Sequence, residues 1–335
     1  MSESIASMLS KPPPYEDTTL TPVPFYKKGY IPAPKELTEC EEICSVPHSV
    51  YSYLDENVYG HPHYKRALSV FLWKCYKHHR PKGALLVAGQ SGSGKTEMIR
   101  AIKQIYSNIY VCDASTITPQ GFKGNSKLYS GLQNLDFNPE FPMPILVIDE
   151  IDKLLLRDYT GTTGVSPWPE LLKMLEGGSI NIGTEEKPNI INTDNVGFIL
   201  LGAFSSLRET ETSPIGFCTD MKASTSPLTK DAVLNEIPPE LRGRIEQTII
   251  LGDLNESDYY NILTDKRYSP VNKIHEELGI SLHISDSITK EISHNAFAEG
   301  TGVRSMNNVI NEYVNGVLFE NPDIKTINIT KLEVS

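Results

Sequence analysis

The sequence predicts a large α/β domain built on a parallel sheet, followed by a smaller, mostly helical C-terminal domain. Three observations carry that reading. Short apolar runs, "GALLVAG", "IYVCDA", "PILVIDE", "VGFILLGA" and "QTIILGD", alternate with helical or loop segments, as buried strands alternate with crossover helices. A glycine-rich stretch joins the first run to a helix. After "LGDLNESDYY" the apolar runs give way to helical periodicity.

Residues 1–50 carry prolines at 12, 13, 14, 22, 24, 32, 34 and 47, which remove backbone donors and block helix, so a proline-rich N-terminal arm is expected. From 51 to 252 the pattern is that of the α/β domain. "HPHYKRALSVFLWKCYKHH" places Ala67, Leu68, Phe71, Leu72 and Cys75 on one helical face after a turn at Gly60. The run "GALLVAG" then leads through glycines into a helix from Lys95, on which Met98, Ile99, Ile102 and Ile105 share a face. The remaining apolar runs supply the other strands. Residues 253–335 form the small C-terminal domain. Asn255 is placed as an N-cap with Asp258 in the first turn. A last helix from Val303 spaces Met306, Ile310, Tyr313 and Val317, and Ile327 and Ile329 then alternate with polar neighbours as in a short strand.

Composition excludes some classes. The 335 residues hold 31 Lys plus Arg against 42 Asp plus Glu, a net charge of -11 that weighs against a chain coating a phosphate backbone. The longest apolar stretch, Val196–Phe204, is too short to cross a bilayer. The N-terminus lacks a basic segment followed by an apolar one, so no secretory signal and a cytoplasmic location are expected. The five cysteines are scattered, and the close pair Cys40 and Cys44 has no second pair at zinc spacing, so reduced thiols are expected.

Two motifs carry chemistry. "GQSGSGKT", residues Gly89, Gln90, Ser91, Gly92, Ser93, Gly94, Lys95 and Thr96, fits G-x-x-x-x-G-K-[ST] between an apolar strand and a helix. In such a P-loop the backbone N–H groups wrap phosphates, Lys95 reaches the β and γ phosphates of ATP, and the Thr96 hydroxyl ligates Mg²⁺. "PILVIDE" brings Asp149 and Glu150 out at the end of a buried strand. Asp149 is the candidate Mg²⁺ holder, and Glu150 the candidate base for the attacking water.

Those stretches, with "ILVIDEIDKLLL", "GVSPWPELLKMLEG", "ILLGAF" and "VRSM" in this order, resemble the AAA+ ATPases, most closely the ClpX- and HslU-type unfoldases, from about Leu54 to the C-terminus. The resemblance implies a homo-oligomeric ring, usually a hexamer, that hydrolyses ATP at subunit boundaries and pulls protein substrates through a channel. It implies adenine contacts at Val58 and Tyr59, an arginine finger at Arg244 with Arg242 as a second candidate, and a sensor arginine at Arg304. "GFKG" resembles the family's pore loop, making Phe122 the gripping residue, with Lys123 a departure from the family pattern. Ile215, Gly216 and Phe217 match the tripeptide with which ClpX-type ATPases dock on a ClpP-type peptidase. No sensor is assigned on the fourth strand, because Leu200 and Leu201 stand where family members often place a polar group. The arm holds nothing like the four-cysteine zinc module of ClpX. Two other readings stay open: a remodelling ATPase acting on a dedicated complex without a peptidase, and, against the charge balance, a nucleic-acid motor.

Overall fold

The computed structural model describes residues 43–117, 128–155, 168–183, 188–208, 227–300 and 302–332. Phe122 and the tripeptide Ile215–Phe217 lie outside them.

Among the described residues the elements run from α1 (Pro47–Asn57) and α2 (Pro62–Tyr76) to β1 (Ala84–Ala88), α3 (Lys95–Ile105), β2 (Ile109–Asp113) and β3 (Ile145–Asp149). There follow α4 (Ile151–Leu155), α5 (Trp168–Glu176), a hairpin of β4 (Ser179–Asn181) and β5 (Ile190–Asn192), and β6 (Gly197–Gly202). The helices α6 (Lys230–Glu236) and α7 (Pro239–Arg242) precede β7 (Ile245–Ile250). The expected parallel sheet is present: β2, β3, β6, β1 and β7 lie side by side in that order, all parallel.

Alternation along each strand divides the core in two. Ala84, Leu86 and Ala88 face one apolar cluster with Leu146, Ile148 and Leu200, against α5, α6 and α7. Leu85 and Val87 face the other with Val147, Ile199 and Leu201, against α1, α2 and α3. With both faces covered, β1 and β6 are buried along their whole length, which is why they read as continuous apolar runs.

The smaller domain packs α8 (Glu256–Thr264), α9 (Pro270–Leu278), α10 (Asp286–Glu299) and α11 (Val303–Glu320) around a separate core with a two-stranded parallel ribbon, β8 (Ser281–Ile284) and β9 (Thr326–Ile329). Asn255 caps α8 as expected and forms a reciprocal capping box with Asp258.

Three features depart from the sequence reading. Helix α1 begins at Pro47, four residues before the expected start of the folded part, because proline at the first helical position gives up an N–H that has no partner there anyway. Cys44 and Val50 are buried in the same core. Strand β8 and the β4–β5 hairpin were not expected: β4 and β5 have three residues each, too few for alternation to show, and β8 has a single buried position, Leu282. No described helix is long and apolar enough to cross a membrane.

Candidate active site

The carboxyl ends of β1, β3 and β6 open on one side of the sheet, where doubly wound folds bind ligands. The loop after β1 is drawn tight there. Gly89 donates its N–H to the Gly202 carbonyl at 3.1 Å, and a side chain on Gly89 would meet Leu251 at 2.8 Å. Gly92 and Gly94 have φ of 76° and 95°, a region that glycine enters without the cost of a Cβ. The turn delivers Lys95 to the start of α3. Its ammonium is buried and donates to the carbonyls of Gly89 at 2.5 Å and Gln90 at 2.9 Å. Burial pulls its pKa down to about 8, partly opposed by Asp149 and Asp152. Neutral carbonyls are its described hydrogen-bond partners, which suits a cation awaiting a phosphate.

One residue on, the Thr96 hydroxyl donates to Asp149 Oδ2 at 3.2 Å. The two candidate metal holders are therefore side by side. A hydroxyl and a carboxylate suit Mg²⁺, which keeps several waters and takes its other ligands from substrate phosphates. Glu150 is the exposed residue beyond them, with φ of 55° and its N–H on Asp149 Oδ1 at 2.9 Å. A left-handed conformation at a non-glycine residue costs about 1 kcal/mol or more and is held only where its surroundings fix it. Here it swings the Glu150 backbone out of the strand direction at the mouth of the site.

A cavity of ≈ 320 Å³ runs from this loop to the small domain, lined by Val58 and Tyr59 at one end, Lys95, Thr96, Asp149 and Glu150 at the other, and Arg304 from α11. Ser91, Gly92, Ser93 and Gly94 line it too, whereas Gly89 and Gln90 form the turn beneath and hold Lys95 through their carbonyls. The Tyr59 hydroxyl donates to Asp258 at 2.9 Å and accepts from Asn261 at 3.2 Å, and its ring meets that of Tyr268 edge-on. The Tyr268 hydroxyl in turn donates to the Asp55 carbonyl at 2.6 Å. The cavity is thus a seam between the two domains. Lys273 of α9 closes it further through a 2.7 Å ion pair with Glu97 of α3.

Arg244 does not line this cavity. It stands half exposed at the end of α7 and pairs with Glu176 at 3.1 Å. Arg242 turns inward, with Nη2 on the Ile237 carbonyl at 3.2 Å and its Nε buried without a partner among the described residues. Of the two, Arg244 is the one available to a neighbouring molecule.

The sequence matches the AAA domain (Cdc48 subfamily) over residues 80–248, which holds both acidic-strand and P-loop motifs. The ATP-dependent Clp protease ATP-binding subunit ClpX of Treponema denticola is 30% identical over 349 aligned positions, covering 90% of this chain and 80% of that protein. This chain belongs to the AAA family as a ClpX-like AAA+ ATPase. The equivalent subunit of Bacteroides thetaiotaomicron is 29% identical over 82% of this chain and 77% of its own.

Several groups at this ATPase's cavity were beyond sequence reasoning. His61 caps α2 in a left-handed conformation, φ 54°, and its ring lies beside Gly94 with a hydrogen bond to the Ser93 backbone; burial lowers its pKa. Asp152, 2% exposed, accepts from the N–H groups of Ala203 at 3.1 Å and Phe204 at 3.2 Å, and so fixes the turn after β6, where Ala203 lines the cavity. Asn307 lines it one turn beyond Arg304, with its Oδ1 buried and unpartnered among the described residues. The "IDK" run and the helical spacing from Arg304 to Asn307 were the available signals, and neither says what the side chain faces.

Proposed function

We propose that this ATPase is an ATP-driven protein unfoldase and translocase of the ClpX type, working as a homo-oligomeric ring, a hexamer, on protein substrates and delivering them to a ClpP-type peptidase. The observation that supports it most is the division of the arginines: Arg304 lines the cavity of its own chain, while Arg244 stands outside it, exposed. Arg100 also lines the cavity but pairs with Glu97 at 3.0 Å, so a further arginine for the γ-phosphate would be supplied where a neighbour's Arg244 meets the site.

The residues fit ATP and Mg²⁺. The buried Lys95 ammonium, the positive-φ glycines and the adjacent Thr96 and Asp149 make the cradle, and the buried, unpartnered Asn307 oxygen lies on the same wall. Val58 and Tyr59 would hold the adenine, residues Gly89–Thr96 and Arg304 the phosphates, and Thr96 with Asp149 the metal. Bound Mg²⁺ supplies charge neutralisation between the phosphates. Glu150 would accept the proton of the attacking water, and Arg244 would stabilise the γ-phosphate of the neighbouring subunit. Phe122 would grip the substrate and Ile215–Phe217 would dock the peptidase, as their resemblance to the family's loops suggests.

The test is ATP-dependent loss of fluorescence from a folded fluorescent protein carrying an unstructured tag. The parental chain is expected to unfold it with Mg²⁺ and ATP; Phe122→Ala is expected to hydrolyse ATP near the parental rate without unfolding. ATP turnover with no action on any tagged substrate would favour the remodelling reading.

A further inference from the structure

A second cavity, of ≈ 480 Å³, lies at the opposite end of the sheet from the active site, where the chain runs into β3 and β6 beside the β4–β5 hairpin. Its walls are apolar and aromatic, with Phe137, Phe141, Met143 and Ile190 among them. Ile190 is 67% exposed and adds its side chain to that apolar lining. Asparagines stand between these groups. The amide oxygens of Asn138 and Asn192 already accept backbone N–H groups, from Glu140 at 3.1 Å and Asp194 at 2.9 Å. What these two side chains have left to offer is their NH₂ donors.

We propose that this groove is the docking site of the chain's own proline-rich segment, Thr21–Pro34, "TPVPFYKKGYIPAP". Three observations carry the assignment. First, the described chain begins two contacts away from the groove: the Cys44 thiol donates to the Ile105 carbonyl at 3.3 Å, and the Tyr106 hydroxyl, one residue on, donates at 2.6 Å to the carbonyl of Met143, a groove wall. From Pro34 to Cys44 is a tether of about 35 Å at full extension, enough to reach a neighbouring surface. Second, the chemistry is complementary. Prolines 22, 24, 32 and 34 have no N–H, so the segment offers carbonyl acceptors and apolar rings, which aromatic-lined grooves with interspersed donors bind at low entropic cost. Third, Lys27 and Lys28 sit in the middle of the segment, and the exposed Glu140 stands between the groove residues Pro139 and Phe141. Docking there would tether the arm on the face away from the nucleotide.

The experiment uses the full chain with the photoreactive amino acid p-benzoylphenylalanine in place of Phe25. After irradiation, digestion and mass spectrometry should map cross-links within one chain to residues 132–144 and 189–195. Ile190→Asp, at an exposed position where folding is not at stake, should lower their yield by about tenfold, as should Pro22→Ala with Pro24→Ala in the arm itself. Cross-links to another surface, cross-links that join two chains, or a yield indifferent to both sets of substitutions would overturn the proposal.

Discussion

Gly302, the residue before α11, lies so close to Gly92 of the P-loop that a Cβ on it would stand 2.6 Å from the Gly92 Cα. Gln90 reinforces the contact by donating to the Gly300 carbonyl at 2.8 Å. The phosphate loop and the turn that launches Arg304 therefore touch backbone to backbone. Gly302 has φ of 79° and ψ of -166°, which only glycine adopts without strain. Gly302→Ala is expected to push α11 off the loop and weaken ATP binding about tenfold or more, with both domain cores intact. Calorimetric titration of nucleotide beside thermal unfolding checks this; unchanged affinity would mean the contact does not position Arg304.

Lys95 is placed at a cost to the nucleotide-free protein. Burial lowers its pKa to about 8 from an ordinary value of 10.5. The unfolded chain thus binds more protons between those values, and the free protein should gain stability as pH rises through that window. Lys95→Met should raise the unfolding free energy of the nucleotide-free protein at pH 7 by about 1–3 kcal/mol while abolishing stabilisation by ATP. For the parental protein, ATP affinity should fall as pH rises above about 8, since phosphate favours the charged ammonium. A destabilised Lys95→Met without ligand would refute this.

Asp152 is a support rather than a reactant. Removing its carboxylate in Asp152→Ala leaves the N–H groups of Ala203 and Phe204 without their acceptor in a nearly dry place. The expected loss is about 2–4 kcal/mol in denaturant unfolding, with weakened ATP binding because Ala203 lines the cavity. Wild-type stability in Asp152→Ala would show that water replaces the carboxylate freely.

The parts legible in the sequence are those whose physics is local. Strands β1, β3 and β6 were readable because burial on both faces makes them uniformly apolar, as at Leu85–Ala88 and Ile199–Leu201. The P-loop was readable because its glycines, Lys95 and Thr96 follow one another and need only a strand before and a helix after. The α1 start was lost because Pro47 ended a series of prolines that block helix, and nothing local marks one as a helix opener. His61, Asp152 and Lys273 were not legible at all. Each acts on a partner set by tertiary packing: the Ser93 backbone, the turn at Ala203 and Glu97.

Glu150→Gln should bind ATP as the parent does, because the cradle is made by other residues, and should lose turnover by at least about a hundredfold. Equilibrium binding measured beside steady-state phosphate release checks it; undiminished release would remove Glu150 from the role of base.

If Arg244 completes a neighbour's site, two variants that are inactive alone should restore each other when mixed. Arg244→Ala keeps a complete P-loop but lacks the finger; Lys95→Met keeps the finger but lacks a working P-loop. Each alone is expected to be inactive, and random one-to-one mixed rings should recover about a quarter of the parental rate per subunit, the share of boundaries that join a good site to a good finger. Full turnover in Arg244→Ala alone, or co-assembled mixtures that stay inactive, would show that Arg244 does not act across the subunit boundary.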